Sequence, residues 1–153
     1  MEQLTVENVD AGNIHEFIGL IEKLAEYEHL APPDERAKER LKADALSDTP
    51  RYAAYIGRVD DIAVAYVTFF FTYSTFLARP TLYLEDIFVL DEYRNRGIGR
   101  QMFDLCCKQA KECGCGRMEW MVLTWNEPAI QFYEKCGGER LDWYVYRLEN
   151  TEG

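Results

Sequence analysis

An α/β domain with a mixed, mostly antiparallel central sheet flanked by helices is what this sequence predicts, and three observations carry it. Apolar periodicity switches repeatedly between the two-residue step of a strand and the 3.6-residue step of a helix. Glycine, proline and Asp-Asp pairs punctuate those segments where turns are needed. The resulting order is β, α, α, β, β, β, α, β, α, β, with no linker, repeat or low-complexity block, so residues 1–153 read as one domain with room for a sizeable core.

Leu4 to Val9 alternates apolar and polar residues and predicts a first strand. After Asp10-Ala-Gly12, Ile14, Phe17, Ile18, Ile21, Leu24, Ala25 and Tyr27 trace one face of a helix reaching about His29. Pro32-Pro33 breaks it, and Asp34 caps a second helix running toward Leu46. Arg51 to Arg58 and Ile62 to Thr72 predict a hairpin around Val59-Asp60-Asp61. Ser74 to Pro80 reads as a loop and Leu82 to Leu90 as the next strand. A helix from Ile98 ends at Cys113-Gly-Cys-Gly116, and Arg117 to Thr124 predicts another strand. Asn126 caps a helix with Pro128 in its first turn, Gly137-Gly138 stops it, and Arg140 to Leu148 predicts a closing strand.

Composition narrows the function. A formal charge of −10 argues against nucleic acid, where a basic face must neutralise phosphates. Such a field suits a small cationic substrate, although solubility alone accounts for much surface acid. Neither a leader-like apolar run nor a membrane-length one occurs, so the expectation is a cytoplasmic protein without membrane contact. The five cysteines read as free thiols, and Cys113-Gly-Cys115 has no histidine nearby in sequence, so no metal is expected.

The most informative stretch is Tyr83 to Gly99, YLEDIFVLDEYRNRGIG: an acidic pair, an apolar strand, a polar turn, then Arg-x-x-Gly-x-Gly opening a helix. It is neither a P-loop, lacking GK[ST], nor a dinucleotide fingerprint, lacking GxGxxG. Two readings fit: an ordinary tight turn, or a cradle whose free N–H groups and helix dipole face a pyrophosphate, with Arg94, Arg96 and Arg100 around it.

Arg94, Gly97 and Gly99 fill the marked positions of the coenzyme A loop of the GNAT superfamily of N-acetyltransferases, which this segment resembles. Asn126 to Gly137 resembles the late signature of the same family, N-x-x-[AS]-x-x-[FL]-Y-x-x-x-G. LAEYE (Leu24 to Glu28), FTY (Phe71 to Tyr73), YLEDIFV and WNEPAIQFY narrow the likeness to the diamine (spermidine/spermine) N1-acetyltransferases, over nearly the whole chain. The resemblance implies a sheet splayed open near its middle, acetyl-CoA as co-substrate, a small amine acceptor and a homodimer.

It also implies roles. Coenzyme contacts fall on Ile87, Phe88 and Val89, on Arg94, Asn95, Arg96, Gly97, Ile98, Gly99 and Arg100, and on Asn126, Glu127, Pro128 and Ala129. Substrate contacts fall on Tyr27, Glu28, Glu85 and Asp86. Catalysis falls on Glu85, a general base acting through water, and on Tyr133, which protonates the departing thiolate. The chemistry needs both, because a primary ammonium of pKa about 10.4 carries its proton at neutral pH. A regular strand would send Glu85 and Asp86 to opposite faces, and a bulge would relax that.

The sequence departs from the resembled enzymes just after the FTY strand. Ser74-Thr75-Phe76 stands where they carry an acidic residue and a Trp. The favoured acceptor is a di- or polyamine. The alternative is a lysine-like amino acid such as thialysine, with Arg79 as the candidate cation for its carboxylate, and a further alternative is a non-catalytic acyl-CoA-binding module.

Overall fold

The computed structural model describes residues 2–150. The chain divides into a larger unit running to Met121 and a smaller one starting at Val122. The larger unit holds β1 (Thr5–Asn8), α1 (Ile14–Glu28), α2 (Glu35–Leu46), β2 (Ala53–Val59), β3 (Ile62–Ser74), β4 (Arg79–Val89), α3 (Ile98–Glu112) and β5 (Arg117–Trp120). The strands lie side by side in chain order. All neighbours are antiparallel except β4 and β5, whose parallel pairing requires the crossover that α3 provides.

The two sheet faces are covered by different helices. Ile56, Tyr66 and Phe88 form one buried cluster with Ile14, Phe17, Ile18 and Leu20 of α1, where the Phe17 ring meets Tyr66 edge-on at 5.5 Å. On the opposite face the backbone at Gly57 runs so close to α3 that a Cβ there would lie 3.1 Å from Met102 Sδ. Ile98, Met102, Phe103 and Cys106 bury that side of α3.

Local chemistry sets the turns. Asp60 and Asp61 both adopt positive φ (49° and 67°), the left-handed pair that a two-residue hairpin needs and that Asp tolerates better than most side chains. α1 stops at His29 (φ 58°), where the Leu30 N–H donates back to Ala25 O at 2.9 Å. Asp34 caps α2 by accepting from the Ala37 N–H at 2.8 Å.

Three boundaries differ from expectation. The β3–β4 ladder continues to Ser74↔Arg79, so the loop expected over Ser74 to Pro80 contracts to a tight tip. There Ser74 Oγ accepts from the Leu77 N–H at 3.1 Å, and Phe76 is 97% exposed. β5 ends at Trp120 and not near Thr124, because its register partner after Leu84 would be Glu85, where β4 leaves the regular ladder. The strand expected over Arg140 to Leu148 is not formed. Its residues alternate suitably, but a strand exists only against a partner edge, and this segment has none among the described residues.

The smaller unit carries α4 (Glu127–Lys135). Asn126 caps it by accepting from the Ala129 N–H at 3.4 Å, and Pro128 occupies its first turn. Gly137 (φ 94°) ends it, with the Gly138 N–H returned to Tyr133 O at 2.9 Å.

Candidate active site

β4 is two strands in one. Its first half, Thr81 to Leu84, pairs with β3 on one edge and β5 on the other. Its second half pairs with β3 alone, so among the described residues the other edge of Glu85 to Val89 has no strand partner. Along Ile87 to Val89 the alternate backbone groups that point away from β3 therefore have no ladder partner, while Val89 O accepts from Arg94 Nε.

A bulge separates the halves. Asp86 pairs with Thr68 and Leu84 with Phe69, which leaves Glu85 as the extra residue. Leu84 and Asp86, two residues apart, consequently lie on opposite faces. Leu84 joins the α3 side with Phe69, whereas Asp86 joins the α1 side with Tyr66 and Phe88. Glu85 is exposed at the bulge and is released from the alternation that a regular strand would impose.

Asp86 is half-buried, and its Oδ2 accepts from Thr68 Oγ1 at 3.0 Å. Burial pushes its pKa up to about 6, the Thr68 hydroxyl pulls the other way, and the charges of Glu85 and Glu28 add to the rise. Glu28, in the last turn of α1, is also raised by burial. Three carboxylates thus meet at the negative end of a helix dipole, an arrangement that attracts a cation and gives a proton somewhere to go. Tyr66, 0% exposed, has a hydroxyl with no hydrogen-bond partner and feels the charges of Asp86, Glu28 and Glu85.

The glycine loop follows. Asn95 (φ 62°) and Gly97 (φ 81°) are both left-handed, and Gly97 is the N-cap of α3 with no side chain to offer. α3 begins at Ile98, so the N–H groups of its first turn lie ahead of any i−4 carbonyl of the helix, at the positive end of its dipole. The arginines around the loop fold back on their surroundings. Arg96 Nη2 donates to Glu92 O at 3.0 Å and its guanidinium covers the Tyr93 ring. Arg100 Nε bonds Asp104 at 3.0 Å.

Arg94 Nε donates to Val89 O at 3.1 Å, and its guanidinium stacks over Tyr27 at 4.4 Å and near Phe88 at 5.7 Å. A residue expected at the coenzyme thus touches one expected at the acceptor.

The larger unit therefore gathers Glu28, Glu85 and Asp86, and joins Tyr27 to Arg94. Asn126, Glu127, Pro128, Ala129 and Tyr133 lie in the smaller unit. There Asn126 is buried and Tyr133, half-buried, has its ring 5.5 Å from Phe132. Thr68 and Tyr66 escaped sequence reasoning. Their i, i+2 spacing places them on one face, but only the bulged register puts that face against Asp86. Arg79 stands at the far end of β4, six residues from Glu85 or roughly 20 Å at 3.3 Å per residue. A cleft of ≈ 450 Å³ lined by Pro50, Tyr52, Ala54 and Phe69 to Phe71 includes none of the expected site residues.

Comparison with known proteins agrees with this geometry. The chain is 34% identical over 152 residues to thialysine N-epsilon-acetyltransferase from Bos taurus, covering 92% of this chain and 87% of the relative. It is 28% identical to spermidine/spermine N(1)-acetyltransferase-like protein 1 from Homo sapiens, over 99% of this chain and 23% of that longer one. The fold matches AAC(6')-Iy, solved with the bisubstrate analogue CoA-S-monomethyl-acetylneamine, at a TM-score of 0.77 and 18% identity over 97% and 99% of the two chains. The pattern of the acetyltransferase (GNAT) family matches residues 19–138, and the chain belongs to that family of N-acetyltransferases.

Proposed function

We propose that this enzyme moves the acetyl group of acetyl-CoA to the terminal primary amine of a small cationic acceptor, and that a lysine-like amino acid is the class that suits its site best. One observation carries the acceptor reading: acid is concentrated at Glu28, Glu85 and Asp86, while the hairpin tip Ser74-Thr75-Phe76 supplies none. A single ammonium is thus favoured over a chain of them. Arg94, stacked on Tyr27, supplies a cation for a carboxylate at the other end. The thialysine-acetylating relative supports this assignment. A di- or polyamine is the second reading, favoured by the net charge of −10 and by the spermidine/spermine-like relative.

In this reading the N–H groups of Ile98, Gly99 and Arg100, with Asn95, Arg96 and Gly97, hold the pyrophosphate, and the open edge of Ile87 to Val89 holds the pantetheine arm. Asn126, Glu127, Pro128 and Ala129 complete the coenzyme contacts. A carboxylate of the β4 bulge takes the ammonium proton, and the free amine attacks the thioester carbon. The C–N bond forms, the C–S bond breaks, and Tyr133 gives its phenolic proton to the sulfur. N–H groups aimed at the carbonyl oxygen lower the barrier by a few kcal/mol.

Thiol release from acetyl-CoA over a panel of thialysine, lysine, putrescine, spermidine and spermine tests the assignment. Thialysine is expected to give the highest kcat/KM, and a faster linear polyamine would reverse the acceptor order. Tyr133→Phe is expected to lower kcat about 10²–10⁴-fold with acetyl-CoA affinity unchanged. Tight coenzyme binding without turnover on any amine would instead indicate a non-catalytic module.

The assembly we propose is a homodimer in the cytoplasm. Supporting it, Trp143 and Tyr146 stand 80% and 91% exposed on a segment without strand partners, a surface costly to leave in water. No helix among the described residues is long and apolar enough to cross a membrane. Light scattering that returned a monomer would remove the dimer.

A further inference from the structure

We propose that Glu2 and Gln101 are positioning residues for the coenzyme: together they hold carbonyl groups of the glycine loop to one side, so that its N–H groups face the pyrophosphate on the other. This rests on the coenzyme reading above and names what keeps that loop in its binding shape before the coenzyme arrives.

Four hydrogen bonds meet at this point. The Glu2 N–H donates to Arg96 O at 3.1 Å. Gln101 Nε2 donates to Glu2 O at 2.9 Å and to Gly97 O at 3.4 Å. The Gln101 N–H reaches the same Gly97 O at 3.2 Å. Beside them the Glu2 carboxylate stands 3.7 Å from Arg96 Nη1. Glu2 lies just ahead of β1, the edge strand of the sheet, so these bonds tie the loop to a segment distant in sequence. The loop needs such a hold. Asn95 (φ 62°) and Gly97 (φ 81°) are both left-handed, and Asn95 carries a side chain that makes this conformation costly. Without the hold the coenzyme would itself have to order the loop, at a loss of affinity.

A planar trans peptide sends its C=O and its N–H in opposite directions. Fixing Arg96 O against Glu2 therefore turns the Gly97 N–H away from Glu2. Fixing Gly97 O against Gln101 orients the Ile98 N–H in the same manner. Both N–H groups belong to the set assigned above to the pyrophosphate. The chemistry of Gln101 fits this task. Both acceptors of its side chain are carbonyl oxygens, so only the donor end of the amide satisfies them, and neither an ionised Glu nor a Leu would. The Glu2 side chain matters less than its backbone. Its ion pair with Arg96 is long and partly exposed, and such pairs contribute little.

The test compares acetyl-CoA with S-acetylpantetheine, which carries the same thioester and arm but no pyrophosphate, as donors to the best acceptor of the panel. All proteins carry the same N-terminal tag, which keeps the nitrogen of residue 2 in a peptide bond. Gln101→Leu removes the side-chain donor, and Glu2→Pro removes the backbone one. Each is expected to raise the KM for acetyl-CoA about three- to tenfold with kcat unchanged, the size of one or two hydrogen bonds, and to leave kcat/KM for S-acetylpantetheine as it was. Glu2→Ala keeps the N–H and should change the KM for acetyl-CoA by less than about twofold. Calorimetry should give the same order of effects in the Kd of coenzyme A. Equal losses with both donors mean that the two residues serve only the fold, and an unchanged KM and Kd mean that the loop keeps its shape without them. Either result overturns the proposal and leaves acetyl transfer standing. Coenzyme A that binds the unaltered protein no better than pantetheine does overturns the coenzyme reading and the proposal together.

Discussion

The two halves of β4 share one backbone and do opposite work. Thr81 to Leu84 is paired on both edges, and Leu82 and Leu84 are fully buried against the α3 side. Glu85 to Val89 is paired on one edge, begins with an exposed carboxylate, and carries a half-buried Asp86 whose charge the fold disfavours. One extra residue divides them. It ends the β5 pairing, turns Asp86 to the other face and leaves the edge beyond it without a strand partner among the described residues. In the first half both edges are committed to the ladder, whereas in the second half one edge is unpaired and a carboxylate is held where burial disfavours its charge.

This contrast is most sharply tested in the first half. Leu84→Ala is expected to cost about 2–5 kcal/mol of unfolding free energy, because a 1% exposed side chain leaves a cavity. Turnover per folded molecule should stay unchanged, as measured by denaturant melts combined with active-site titration. A large fall in kcat at intact stability would mean that the buried half also shapes the site.

The second half should respond with the opposite sign. The Asp86 pKa of about 6 lies above its unfolded value near 3.9, so the native state binds the proton more tightly. Stability therefore falls as pH rises from about 4 through 6, and is level above that. Asp86→Asn should match the unaltered protein near pH 4 and exceed it by ~2 kcal/mol at pH 7. That figure follows from about 1.4 kcal/mol for each pH unit between the folded and unfolded pKa values, reduced for the partial exposure of the carboxylate. A variant less stable at pH 7 would mean that the charged carboxylate contributes to the fold.

Much of this was legible in the residues. The helix stops at His29 and Gly137, the Asp34 and Asn126 caps, the Asp-Asp hairpin and the glycine loop all depend on local chemistry that a sequence displays. What stayed hidden depends on register. Strand alternation cannot show which residue of YLEDIFV is the extra one, and hence that Tyr66 and Thr68 face Asp86. The segment from Arg140 to Leu148 has a strand's alternation, but a sequence does not state whether a partner edge exists.

The smallest effect sought separates the two acceptor classes. Arg94 covers Tyr27 and approaches Phe88, two residues beyond Asp86 on the same face of β4, so its charge stands on the acceptor side of the open half. An amino-acid acceptor would place its carboxylate near that guanidinium, and a diamine would place a cation or nothing there. Arg94→Met keeps much of the apolar stem against both rings and removes the charge. The KM for thialysine should rise about tenfold, the size of one hydrogen bond to a charged group at a partly exposed site. The KM for putrescine should stay level or fall, since one repelling cation is gone. Taking the ratio of the two cancels any loss of coenzyme affinity that Arg94 contributes through its loop. If both KM values rise by the same factor, Arg94 serves the coenzyme alone, and the carboxylate of an amino-acid acceptor has lost the cation assigned to it.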